Sequence, residues 1–174
     1  MKFSNCVVNQ MNADVSMFDV VGSDNLVVEN STFSLNRAKT MFSVFRITNV
    51  HLTNCNHFSN VGSFLTINDT RFTTVAIESC NFYENSELPV LTISNSLSEF
   101  FIYRSKFYNN RAYMGAAIYS EIISMTFEDC TFYNNQAILG GAIYTLSETL
   151  HFTRSIFYNN SATIGGAITN FVRI

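Results

Sequence analysis

The chain repeats itself, and that restricts its fold more than any other feature. Lys106–Asn110, Thr131–Asn135 and Ile156–Asn160 each read x-Phe-Tyr-Asn-Asn and lie 25 residues apart. Stepping back from Asn110 by the same interval reaches Asn85 and Asn60, and then Asn36 if one residue is deleted. Five residues before these asparagines stand Ser31, Cys55, Cys80, Ser105, Cys130 and Ser155, with Cys6 opening the same series. Downstream, an alanine and a glycine element recur: Ala112 with Gly115–Ile118, Ala137 with Gly140–Ile143, and Ala162 with Gly165–Ile168. Three independent features share one period, which is the mark of a solenoid or an array.

A leucine-rich horseshoe would need a Leu/Asn framework that is missing. Phe, Tyr, Ile, Thr and Val favour strands instead. Alternation at Leu150, Phe152 and Phe157, with His151 and Thr153 facing out, points the same way. The expected fold is all-β: a right-handed, single-stranded parallel β-helix of about seven coils with a 25-residue period. Residues 1–174 are read as one β-helix repeat domain. Phe3 aligns with Val28 and the sequence closes at Phe171–Ile174, so both ends fall in mid-coil. Repeat arrays need polar caps and bare strand edges invite pairing. The register therefore predicts a segment of a longer β-helix, with further coils or other copies of itself stacked on the ends.

Equivalent residues of stacked coils lie above one another. Phe82, Phe107, Phe132 and Phe157 are expected to form an inner aromatic column, extended by Phe33 and by His57 as a substitute. Ile118, Ile143 and Ile168 form an aliphatic column. Asn60, Asn85, Asn110, Asn135 and Asn160 are expected to form a ladder at a turn, bonding along the stack and adopting left-handed geometry themselves. The glycine pairs mark a corner that needs unusual backbone angles or close backbone approach. Tyr83, Tyr108, Tyr133 and Tyr158 face outward as a flat aromatic strip, of a kind favoured at interfaces.

The motif Phe-x-x-Asn-x-Ala, followed after a short spacer by Gly-Gly-Ala-Ile, resembles the repeat of the chlamydial polymorphic membrane proteins. Related repeats occur in other large surface β-helix proteins. The three C-terminal copies carry it, with Ala116 replacing one glycine, and the resemblance spans about Asn60–Ile168. It implies a pectin-lyase-like β-helix in a secreted, adhesive surface protein.

Only 13% of the residues are charged, about half the usual share, so Ser, Thr and Asn must wet the surface. That habit fits extracellular β-rich proteins. A net charge of −3 offers no basic field for nucleic acid, and no apolar run is long enough to span a bilayer. The opening residues, Met1–Asn5, lack the apolar stretch of a signal peptide. Asn30, Asn68 and Asn159 head N-glycosylation sequons, which matter only in a eukaryotic source.

Catalytic, cofactor and metal signatures are absent from the sequence. Cys6, Cys55, Cys80 and Cys130 share one inner column and are read as free thiols; a Cys55–Cys80 bond is the alternative. No Cys/His cluster suits zinc. His51 and His151 share a register position four coils apart, and nothing forms a triad. Glu78 and Glu128 are two coils, or roughly 10 Å, apart, slightly beyond the separation of an inverting carboxylate pair. Asp129 falls between Arg104 and Arg154, which suits an ion-pair ladder and makes a poor general acid. No cofactor is expected, and no pocket is expected to collect two carboxylates within about 10 Å alongside a basic or metal-binding group. The function expected is that of a non-enzymatic extracellular structural or adhesive segment, with a cell-surface or glycan ligand. A self-assembling filament protomer and a polysaccharide-active enzyme are the alternatives.

Overall fold

The computed structural model describes residues 1–68, 73–94 and 99–171. Their 21 strands form three parallel sheets of seven strands, and each sheet takes every third strand in chain order. The first sheet runs from Lys2–Ser4 to Thr149–Thr153, the second from Val7–Asn9 to Ile156–Tyr158, and the third from Ser16–Val21 to Ile168–Asn170. The chain is therefore an all-β parallel solenoid, in which each coil contributes one strand per sheet and repeats after about 25 residues. The last three residues, which belong to the end expected to be covered, lie outside the described set.

Alternation builds the core. In Thr74–Glu78, Val75 and Ile77 are buried while their neighbours face out, and Phe100/Ile102 and Met125/Phe127 repeat the pattern in the next coils. The pairing places Val75 on Phe100 and Ile77 on Ile102, so each inward residue stacks on an inward residue. Phe82, Phe107, Phe132 and Phe157 stack with centroids 4.6–5.0 Å apart and nearly parallel rings. That spacing is the strand-to-strand repeat of a sheet.

His57 pairs with Phe33 and Phe82 in this column. It is buried, its ring packs on Phe64 at 4.7 Å, and its Nδ1 has no hydrogen-bond partner. Burial pushes its pKa down to about 3, which keeps the ring neutral.

The glycine corner uses both of the devices expected of it. Gly140 has φ +57°, and a Cβ there would lie 2.1 Å from the Ile143 carbonyl oxygen. Gly141 needs no unusual angle, but its Cβ would lie 2.1 Å from Gly166 O in the next coil.

The third sheet is the irregular one. Leu65 pairs with Leu91 and Leu91 with Ile118, so the pairing interval departs from 25 there. A shift between Arg37 and Thr40 also interrupts its register. The stretch from ladder asparagine to third-sheet strand is short at Asn60–Leu65 and longer at Asn110–Ile118. In the early coils that stretch is absorbed into long strands, Arg37–Phe45 and Val61–Asn68. In later coils it becomes a loop carrying Tyr113 and Met114.

Candidate functional site

Two polar ladders run inside the stack. Each ladder asparagine accepts at Oδ1 from the preceding coil and donates from Nδ2 to a main-chain carbonyl there. The Asn85 N–H and Nδ2 both donate to Asn110 Oδ1, at 3.1 and 3.0 Å, and Asn110 Nδ2 donates to Phe82 O at 2.9 Å. The same set recurs at Asn135, Asn160 and Asn60, and Asn36 keeps it except for the amide donor, since Met11 precedes it in the column and donates only its N–H. Asn36 to Asn135 are buried and Asn160 is half-buried at the end coil, so inside the stack each bond replaces lost water.

The left-handed residue of this turn is not the ladder asparagine, as the sequence reading had it. It is the residue before: Leu35, Ser59, Glu84, Asn109, Asn134 and Asn159, with φ between 53° and 58°. The ladder amide must point inward to reach its partners, so the exposed neighbour carries the turn.

The cysteine column is the second ladder. Backbone N–H groups donate to the next coil's side chain, from Cys80 to Ser105 Oγ at 3.1 Å and from Cys55 to Cys80 Sγ at 3.4 Å. Each Ser hydroxyl or Cys thiol here donates to the carbonyl two residues back, as Ser105 and Cys130 do. Serine and cysteine are thus interchangeable in role. All four cysteines are free. Burial pushes the Cys130 thiol up to about 11, and Cys80 is raised by its hydrogen bond with Cys55 and by burial. Such thiols stay protonated and unreactive at neutral pH.

Outside, Tyr83, Tyr108, Tyr133 and Tyr158 stack with centroids 4.7–4.9 Å apart and rings within 3° of parallel, and Phe58 extends the strip. Glu78 is held by Arg104, and Arg154 bridges Glu128 and Asp129, the latter at 2.7 Å. The hydrogen bond from Arg154 keeps the Asp129 carboxyl below its usual range, so it stays ionised. The acidic residues singled out from the sequence are therefore consumed in ion pairs across coils. His51 and His151 are both exposed. Asn30 and Asn159 lie exposed at left-handed turn positions, and Asn68 is exposed at the end of its strand with the rest of its sequon outside the described residues. Among the described residues, no group of three or more His, Cys, Asp or Glu is placed to hold a metal ion. No helix among them is long and apolar enough to cross a membrane.

The feature that sequence reasoning missed is a groove of about 460 Å³ on the outer face of the third sheet. Its floor is one outward column: Asp19, Ser43, Thr66 and Thr92 in successive coils, followed by Tyr119 and Tyr144. Four short polar side chains meeting a pair of stacked tyrosines create a step, and the depression lies over the short ones. Leu88 and Pro89 form one shoulder, and Tyr113 and Met114 another. Ser63 and Thr92 share a hydrogen bond of 3.2 Å across the floor.

The groove also collects Asp19, Glu87 and Lys39. The two carboxylates and the lysine therefore share one groove, which spans several coils of the third sheet. The later turn at Glu87 swings that residue over the coils beneath. Glu87 is tied to Arg37 at 3.4 Å and Asp19 accepts from Ser16 at 2.5 Å. A signal was available in the step from Thr92 to Tyr119, but only with the third sheet's register in hand.

No curated protein and no solved structure matches the chain. Residues 129–146, which hold the Cys130 ladder site, the Phe132–Asn135 turn and Gly140–Ile143, match the Chlamydia polymorphic membrane protein repeat.

Proposed function

We propose that this solenoid is a non-enzymatic, extracellular scaffold segment that displays adhesive surfaces, with cell-surface glycan as its ligand class. The observation that carries the reading is the continuous stacking of three seven-stranded parallel sheets. A stack with ladders at every coil is stiff, and it presents each outward column as a straight strip. The tyrosine strip and the third-sheet groove are surfaces of that kind, and tyrosine suits contact through its broad amphipathic ring. The match over residues 129–146 agrees with a repeat used in surface proteins, and the proposal extends the likeness to Asn60–Ile168. Exposed apolar residues on the end coils, Val7, Met11 and Val15 at one end and Ile156 and Ile164 at the other, suit stacking with further coils or copies.

A second reading, polysaccharide cleavage, is favoured by one observation: Asp19 and Glu87 line the same groove. Incubation with neutral and acidic polysaccharides decides between them. The scaffold reading expects retention on an immobilised glycan without release of reducing ends. Release that disappears in Glu87→Gln or Asp19→Asn would establish the enzyme and overturn the scaffold.

A further inference from the structure

We infer that the third-sheet groove is a binding site for a neutral oligosaccharide, laid along the solenoid axis with one sugar ring against Tyr113. The inference rests on the glycan-adhesive reading above and deepens it by naming the site. Ser43, Thr66 and Thr92 succeed one another at the same outward register position, so their hydroxyls form a row with one member per coil. The row advances by about 4.8 Å per coil, a step comparable to the length of one sugar unit in an extended chain. Each hydroxyl can donate and accept, as each sugar hydroxyl can. A row of such groups suits a hydroxyl-rich chain better than a charged or purely apolar one.

The shoulder supplies the other half of sugar recognition. Tyr113 is 61% exposed and lines the groove, so a large aromatic ring stands at the rim of a hydroxyl floor. A pyranose presents hydroxyls at its edge and C–H groups on its faces. Edge to floor and face to ring is the arrangement that satisfies both. Concave sites with apolar walls and a few placed polar groups are the common form of small-ligand sites. Glu87 is paired with Arg37 and Asp19 accepts from Ser16, so the hydroxyl row, with Lys39 beside it, supplies the donors of the groove.

The same geometry provides the blocking variant. Thr92 lies next to Tyr119 in the outward column, and Tyr119 stacks on Tyr144 at 5.5 Å. Thr92→Tyr would continue the tyrosine stack by one coil and fill the depression without touching the core.

The test uses the whole 174-residue chain, ¹⁵N-labelled, titrated with cellotetraose, chitotetraose and mannotetraose, with reducing ends measured on the same samples. At least one sugar is expected to bind and to shift the amides of Ser43, Thr66 and Thr92. Tyr113→Ala should weaken it about tenfold, the value of one aromatic contact of roughly 1.4 kcal/mol. Thr92→Tyr should abolish it while the remaining spectrum keeps its dispersion, and Tyr158→Ala, on the tyrosine strip, should leave it unchanged. Absence of binding by all three sugars overturns the site. Binding that survives Thr92→Tyr and falls with Tyr158→Ala also overturns it, while the adhesive reading stands. Release of reducing ends overturns the non-enzymatic reading, and the groove stands if Thr92→Tyr still abolishes binding.

Discussion

Replacing His57 with phenylalanine should stabilise the solenoid, and the gain should grow as the pH falls. His57 interrupts a phenylalanine column, is 1% exposed, and leaves its Nδ1 without a partner. A buried unsatisfied polar atom costs about 1–3 kcal/mol. The added bulk of phenylalanine opposes the gain, since overpacking costs about 1–3 kcal/mol where a site cannot adapt. Here Phe33 and Phe82 occupy the same register in the adjoining coils, so the spacing already fits that ring. The expected net gain near neutral pH is about 1 kcal/mol. The proton adds a second contribution. The pKa of His57 is about 3 in the folded chain and 6.5 for the ordinary side chain, so the unfolded chain binds more protons between those values. Stability is therefore undiminished above pH 6.5 and falls as the pH drops from 6.5 towards 3. At pH 5 the loss is about 2 kcal/mol, from 1.5 units at 1.36 kcal/mol each. Phenylalanine removes that loss. Urea midpoints followed by circular dichroism at pH 7.5 and pH 5.0 read the effect, and hydrogen exchange in Asn56–Phe58 localises it. An advantage for His57→Phe that does not widen between the two pH values would refute the reasoning.

Asn110→Ala should destabilise by about 3 kcal/mol, because it removes two donated bonds and takes the acceptor from the Asn85 N–H and from one of the two Asn85 Nδ2 hydrogens, the other staying on His57 O; thermal denaturation checks it, and a loss under about 1 kcal/mol would contradict the ladder's role. Cys130→Ser should change stability by no more than about 1 kcal/mol, since Ser105 and Ser155 stand in the same column and donate, as Cys130 does, to the carbonyl two residues back. In the native chain a thiol reagent should label Cys6 and leave Cys55, Cys80 and Cys130 until urea is added, as mass spectrometry of timed samples can follow.

Sequence alone disclosed the period, the inner phenylalanine column and the outward tyrosine strip for one physical reason. In the first two sheets the coil interval is 25 residues at every step except the 24 between the second and third coils, so identical spacing in sequence becomes identical position in space, as at Tyr83, Tyr108 and Tyr133. The third sheet breaks that translation. Leu65, Leu91 and Ile118 align only once the turns after Asn60, Asn85 and Asn110 have been given their differing lengths. The groove lies there, so its hydroxyl row could not be assembled by counting 25s. The same limit hid that Asp19 and Glu87, remote in sequence and at no shared repeat position, line one groove. The turn was half legible: the Asn-Asn pair was visible, but which member faces inward depends on bonds to Phe82 O and Asn135 Oδ1 that no spacing reveals.

The in-register stack is the claim on which the scaffold, the strip and the groove all depend, and electron–electron resonance between paired spin labels measures it directly. Val7, Thr32, Asn56, Asn81, Lys106, Thr131 and Ile156 occupy one register position in seven successive coils of the second sheet. With one label at Ile156, the partner at Val7 should give a distance near 29 Å, at Thr32 about 24 Å, and at Asn56 about 19 Å, falling by one strand spacing per coil. Distances that fail to shorten in equal steps, or that coincide for two of these positions, would contradict the stacked solenoid.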